Sequence, residues 1–356
     1  MNDEDQNPRR DVAAGDMSDS RRRTSVDQNS PSTPPSTPKI DAHLHVFAKA
    51  STEFPRQVSD HLPAEREAPV ELFLERMQTH GIDGAVLVQI GGTSFEHHAY
   101  LLRCLREYPD RFLGIGLVPP GCDDPGAHID RLADASDGRI IGMRLGTLGG
   151  PADPFEAVDV RGLPIHRIWE HAAKKDYVIW LYPRAVDAHV VPHLFEAFPQ
   201  VRVVFNHLMV CPGPKFWWDD KGRPQADVPM PPETRYSTMG LKIGRILNNT
   251  RGHYPYPNVC VMLSGHYAFS KQPYPYPDLD GWQQSLLMVF GCERLMWASD
   301  FPWIDTDPGY GELVALPGHT FPDLSSEERT QLMGRTAARF LRFPALCDKT
   351  GWLTPP

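Results

Sequence analysis

The sequence predicts an α/β protein, a (β/α)8 TIM barrel with an extended loop region after the sixth strand. Three observations carry this. Eight short apolar runs alternate with amphipathic segments from Lys39 onward. The runs are continuously apolar, as strands are when side chains fill a barrel and helices cover it. The chain has 356 residues, enough for one large barrel. A doubly wound open sheet is the alternative, but no glycine-rich phosphate loop follows any run, and Gly91-Gly92-Thr93 is too short to serve.

The first run is Ile40-Asp41-Ala42-His43-Leu44-His45-Val46-Phe47. Strand side chains alternate faces, so His43 and His45 point the same way and can converge on one metal ion or one substrate group. The stretch Val70–Met77 has helical spacing and leads to the second run, Gly84–Ile90. A helix over His98–Leu105 separates it from Phe112–Val118, and Ile140–Leu145 is the fourth run. Helices over Ile165–Lys174 and Ala188–Phe198 flank Tyr177–Tyr182, and Val201–His207 is the sixth run.

About fifty residues separate His207 from the seventh run, Val259–Gly265. A sixth helix over Thr238–Asn249 fills only part of them. The rest is rich in proline and aromatics, including Cys211–Trp218 and Tyr254–Pro257. Long loops after barrel strands sit at the catalytic face, so a lid or pocket wall is expected. Contact between subunits of a homo-oligomer is an equally good use of Trp217 and Trp218. Pro273–Pro277 repeats the proline–tyrosine pattern and would join the first such run in a rigid rim. The eighth run, Arg294–Asp300, ends on a carboxylate.

Residues 1–38 are unlike the rest, with almost no large apolar side chains and a Pro/Ser/Thr-rich end. Such a segment cannot offset its ordering entropy by burial and is expected to be a disordered tail, leaving 39–356 as the barrel domain. Arg21-Arg22-Arg23 is not followed by the apolar region of an export signal. Six scattered cysteines without a C-x-x-C pair suit the reduced thiols of a cytoplasmic protein. A net charge of -9 argues against nucleic acid and anionic membrane as partners. No run approaches the ~20 apolar residues that span a bilayer.

Catalytic groups of such barrels stand at the C-terminal strand ends. Those ends supply His43 and His45, Gln89, Arg144, Tyr182, Asn206 with His207, Ser264 with His266, and Asp300. One such histidine is more often a satisfied buried residue than a ligand. Polar groups at this many strand ends need a shared reason.

Together these segments resemble the amidohydrolase superfamily, in its lactonase and decarboxylase branch, the amidohydrolase-2 family. Asp41–His45, Tyr108–Phe112, Gly142–Leu145, Val204–Leu208, Leu263–Gly265, Glu293–Trp303 and Thr336–Leu341 carry the likeness, in order, over roughly Lys39 to Pro344. The resemblance implies one divalent ion, zinc or manganese, on His43, His45 and Asp300, with His207 completing the set or touching the scissile carbonyl. It also implies that Asp300 takes a proton from the attacking water and returns it to the leaving oxygen. Many members carry another histidine on the fifth strand, and Trp180–Arg184 has none. Fuconolactonase-like and pyrone-dicarboxylate lactonase-like members commonly lack it too, and some work without a metal, so a metal-free site stays open.

The activity implied is hydrolysis of a small, anionic, carboxylated lactone or cyclic ester. Arg144 and Tyr182 would bind its carboxylate, with Gln89, Ser264 and His266 as further substrate contacts. The alternative on the same site is non-oxidative decarboxylation of an aromatic or muconate-type acid. An alternative of another class is a non-catalytic binding protein on a degenerate barrel.

Overall fold

All eight apolar runs form strands in the computed structural model, which describes residues 38–228 and 256–343. Strands β1 (Ile40–Leu44), β2 (Gly84–Val88), β3 (Phe112–Gly116), β4 (Ile140–Leu145), β5 (Val178–Leu181) and β6 (Val203–Phe205) pair in parallel, each with the next. A hairpin, β7 (Phe216–Trp218) with β8 (Pro224–Ala226), interrupts the series, and β9 (Val259–Leu263) and β10 (Leu295–Trp297) finish it. The result is the parallel, nearly closed barrel that the sequence predicts. The tail, apart from Pro38, the helix expected over Thr238–Asn249 and the Tyr254-Pro255 pair lie outside the described residues.

Closure between β10 and β1 is made just beyond the strand β10. Asp300 N donates to His43 O at 3.0 Å and His45 N to Phe301 O at 2.7 Å. Below them, Ser299 N donates to the Asp41 carboxylate at 2.9 Å. This carboxylate is fully buried and also accepts from the Tyr310 hydroxyl at 2.8 Å. Burial pushes the Asp41 pKa up to about 6 against these hydrogen bonds. Tyr310→Phe leaves that carboxylate oxygen without its donor, so the variant should lose about 1–3 kcal/mol of stability. Urea unfolding would show this as a lower midpoint at unchanged slope; an unshifted midpoint would remove the bond from the stability account.

The core has two layers. Ile40, Ala42, Val86, Val88, Leu113, Ile115, Trp180, Val204, Met262 and Met296 belong to an inner cluster, and a larger one lies under the helices. The strands approach closely at Gly142, where a β-carbon would lie 2.0 Å from Val178 O. Only glycine fits there. The β1–β2 register shifts between Asp41 and Leu44. This irregularity lets Ala42 pack in the inner cluster while the next residue, His43, reaches Trp180 of that same cluster.

Expected helices form at Val70–His80, Ala99–Glu107, His166–Lys175 and Val191–Ala197. Pro125–Ala135, which the sequence reading passed over, is a helix opened by Pro125 and capped by the Asp124 side chain on Ala127 N. Helices Asp280–Phe290, Tyr310–Thr320 and Thr336–Leu341 complete the outer layer. Among the described residues no helix is long and apolar enough to cross a membrane.

The β7–β8 hairpin was not foreseen. Arg223 pairs with Asp219 and Asp307, Lys221 with Asp307, and Arg66 donates to Gly222 O at 2.7 Å. The Arg66 guanidinium also lies over the Trp218 and Trp303 rings, at 5.3 and 5.1 Å. The expected proline–tyrosine rim does not form around the cavity described below. Tyr276 is buried and stacks on His266, while Tyr274 donates to Glu312 O, so both pack against the barrel's own side chains.

Candidate active site

A cavity of about 180 Å³ opens at the C-terminal strand ends. His45, Arg144, Tyr182, His207 and Asp300 line it, with Tyr267 and an aromatic wall of Phe216, Trp218, Phe269 and Trp303. Asp300 is the hub. Its Oδ1 lies 3.7 Å from both His43 Nε2 and His45 Nε2, and its Oδ2 lies 3.9 Å from His207 Nδ1. The Tyr267 hydroxyl donates to Oδ2 at 2.8 Å.

Backbone geometry aims these groups. Asp300 sits at φ 62° and His207 at φ 43°, both in the left-handed region that L-residues rarely occupy. Burial raises the Asp300 pKa to about 7, although the Tyr267 hydrogen bond and the Arg144 charge favour its ionised form. Burial also holds the histidines neutral. His45 falls to about 3, with the Arg144 charge adding to the effect, and His43 and His207 lie well below the usual range.

Arg144 leaves β4 and faces the cavity. Its guanidinium lies 5.3 Å from the Tyr182 ring and 3.4 Å from His207 Nε2, and among the described residues no carboxylate pairs with it. Three expected substrate contacts stand elsewhere. The Gln89 amide donates to the carbonyls of Ile90, Gly92 and His97, holding the loop after β2. Ser264 Oγ is buried behind His207 Nδ1, at 3.0 Å. His266 turns away to Gln283 Oε1, at 2.9 Å. The structure adds Tyr267, Trp218 and Trp303 to the cavity and Trp180 beneath it. Their only sequence signal was an aromatic ring beside a strand or in a loop.

The expected ligand set was tested against these contacts. Ligand atoms of His43, His207 and Asp300 lie within 4.8 Å of one another, which suits a metal ion by distance. His45 stands outside that trio. The hydrogen bonds do not suit an ion. The Trp180 indole N–H donates to His43 Nδ1 at 2.9 Å, so neutral His43 carries its proton on Nε2, the atom facing Asp300. Arg144, which can only donate, faces His207 Nε2. His45 alone is set as a ligand, because Nδ1–H donates to Val88 O at 2.8 Å and leaves the Nε2 lone pair toward Asp300. One histidine and one carboxylate fall short of the three protein ligands usual for catalytic zinc.

Known structures share this fold at low identity. A Pseudomonas putida protein assigned as a 2-pyrone-4,6-dicarboxylic acid hydrolase is 21% identical, with a TM-score of 0.61 over 87% of this chain and 99% of that one. An Acinetobacter baumannii protein with the same assignment, solved with citric acid bound, is 18% identical with a TM-score of 0.59 over 85% and 99%. An amidohydrolase from Burkholderia multivorans, solved with zinc bound, is 19% identical with a TM-score of 0.61 over 86% and 100%. No curated protein matches the chain. The Amidohydrolase family matches residues 40–230 and 250–343, most of the chain and every barrel strand, so this protein belongs to the amidohydrolase-2 family.

Proposed function

We propose that the protein is a hydrolase that opens a small lactone or cyclic ester bearing a carboxylate. One observation carries the reading: Arg144, without a carboxylate partner, shares an aromatic-walled cavity with the free Oδ1 of Asp300. A guanidinium in such a place calls for an anion, and its planar fork matches a carboxylate. The relative solved with citrate supports an anionic ligand, and the hydrolase assignment of both pyrone relatives supports the reaction class.

The step needs only groups of this chain. Asp300 Oδ1 takes a proton as water attacks the carbonyl carbon. The ring C–O bond then breaks, and the proton passes from Asp300 to the leaving oxygen, giving a hydroxy acid. A base with a pKa of about 7 is well matched to both transfers near neutrality. The aromatic wall packs the flat ring of the substrate and limits bulk water around the reacting carbonyl.

A panel of lactones with and without a carboxylate, together with aromatic and muconate-type acids, tests this. Acid release should follow addition of carboxylated lactones, without CO₂. Release of CO₂ from one of the acids would replace the reading with the decarboxylase, and inertness toward the whole panel would favour a binding protein.

A further inference from the structure

We propose that Trp180 sets the tautomer of His43, making that histidine a hydrogen-bond donor to the attacking water in place of a metal ligand. The part played by water rests on the hydrolase reading. The tautomer does not.

The two histidines of β1 receive opposite instructions from their neighbours. His45 Nδ1 faces a backbone carbonyl, Val88 O at 2.8 Å, which can only accept. His43 Nδ1 faces an indole N–H, Trp180 Nε1 at 2.9 Å, which can only donate. The proton of neutral imidazole therefore lies on Nδ1 in His45 and on Nε2 in His43. Trp180 is fully buried in the inner cluster, and its ring lies 6.4 Å from the His43 ring at 22° between planes. It cannot turn the N–H aside without disturbing the barrel's packed interior. An ion on His43 Nε2 would demand a proton on Nδ1, pressed against the indole N–H.

This assignment gives meaning to two buried atoms without hydrogen-bond partners, His43 Nε2 and Asp300 Oδ1. They face each other at 3.7 Å, too far for a direct hydrogen bond and near enough for one oxygen to touch both. A water placed there accepts from His43 Nε2–H and donates to Asp300 Oδ1 and His45 Nε2. Its second lone pair is then left for the carbonyl carbon. Trp180 is thus a positioning residue, acting through His43.

Long-range ¹H–¹⁵N spectra of protein labelled with ¹⁵N-histidine read the tautomer directly, with His43 assigned by comparison with His43→Gln. The expected result is an Nε2–H tautomer for His43 and an Nδ1–H tautomer for His45. An Nδ1–H tautomer at His43 overturns the proposal. Calorimetric titration with zinc ion gives a second readout. Trp180→Phe keeps an aromatic ring and removes the N–H, freeing His43 Nε2 to ligate, and should tighten zinc binding about 10–100-fold. Tight, stoichiometric zinc on the unaltered protein, or equal affinity in a folded variant, would also overturn it. Because neither readout uses a substrate, failure of the lactone panel leaves this inference standing, and the reverse holds equally.

Discussion

Asp300→Asn is expected to lower kcat by about 10²–10⁴-fold while the barrel stays folded. The amide keeps the size of the carboxylate, and asparagine tolerates the left-handed φ of 62° at this position better than most residues. Its carbonyl can still accept from Tyr267 and its NH₂ can face His45 Nε2, but it cannot take a proton from water. The same carboxylate dictates pH dependence. Activity should rise with pH and level off above about 7, where Asp300 is ionised.

Stability should run the other way. Burial raises the Asp300 pKa from 3.8 to about 7, so the folded state binds this proton more tightly than the unfolded chain does. The resulting stabilisation is fully present below the unfolded value and is lost as pH rises through about 7. Above that pH the ionised, buried carboxylate works against folding, and the amide does not. The variant should therefore melt higher than the parent at pH 8, with the gap closing toward pH 4. A near-normal rate in the folded variant would remove Asp300 from the chemistry.

Arg144→Met should lower kcat/KM for carboxylated lactones by ~1.5–3 kcal/mol, or about 10- to 150-fold. Methionine keeps much of the apolar stem over Tyr182 and removes the fork. Neutral lactones should be affected much less, since the arginine holds no protein carboxylate whose loss would be felt by every substrate. The comparison of charged with neutral substrates carries the test. Equal losses on both, or failure to fold, would assign Arg144 to the architecture of the barrel mouth.

The barrel was legible because its strands are buried on both faces and read as unbroken apolar runs. Their ends were less so. Val46 and Phe47 are as buried as the strand before them but lie beyond β1, since burial continues into the loop where the ladder does not. The β7–β8 hairpin escaped notice because its strands are three residues long and partly exposed, with a proline opening the second. In the site, side chains at strand ends that carry a cavity-facing charge or imidazole were found from spacing alone. Gln89 and His266 share that spacing, but carbonyls and a glutamine side chain claim them, and such partners are distant in sequence. Trp180, Tyr267 and Tyr310 went unrecognised for a related reason. An aromatic residue in an apolar run looks like core, and its one polar atom reveals a role only when the fold brings it to His43, Asp300 or Asp41.

The hairpin forms its own two-stranded sheet and adds no strand to the barrel. Yet Phe216, Trp218, Pro224, Gln225 and Ala226 all belong to the cavity wall, while Asp300, His43 and His45 come from the barrel. Selectivity and reactivity are therefore housed in separable parts of the chain. A new hairpin could be grafted between Gly213 and Asp227, whose backbone groups already meet in a hydrogen bond of 2.8 Å, without altering any strand that bears the reactive groups. For protein engineering this makes 214–226 a natural cassette: a segment to randomise when a different ring is wanted on an unchanged chemical apparatus.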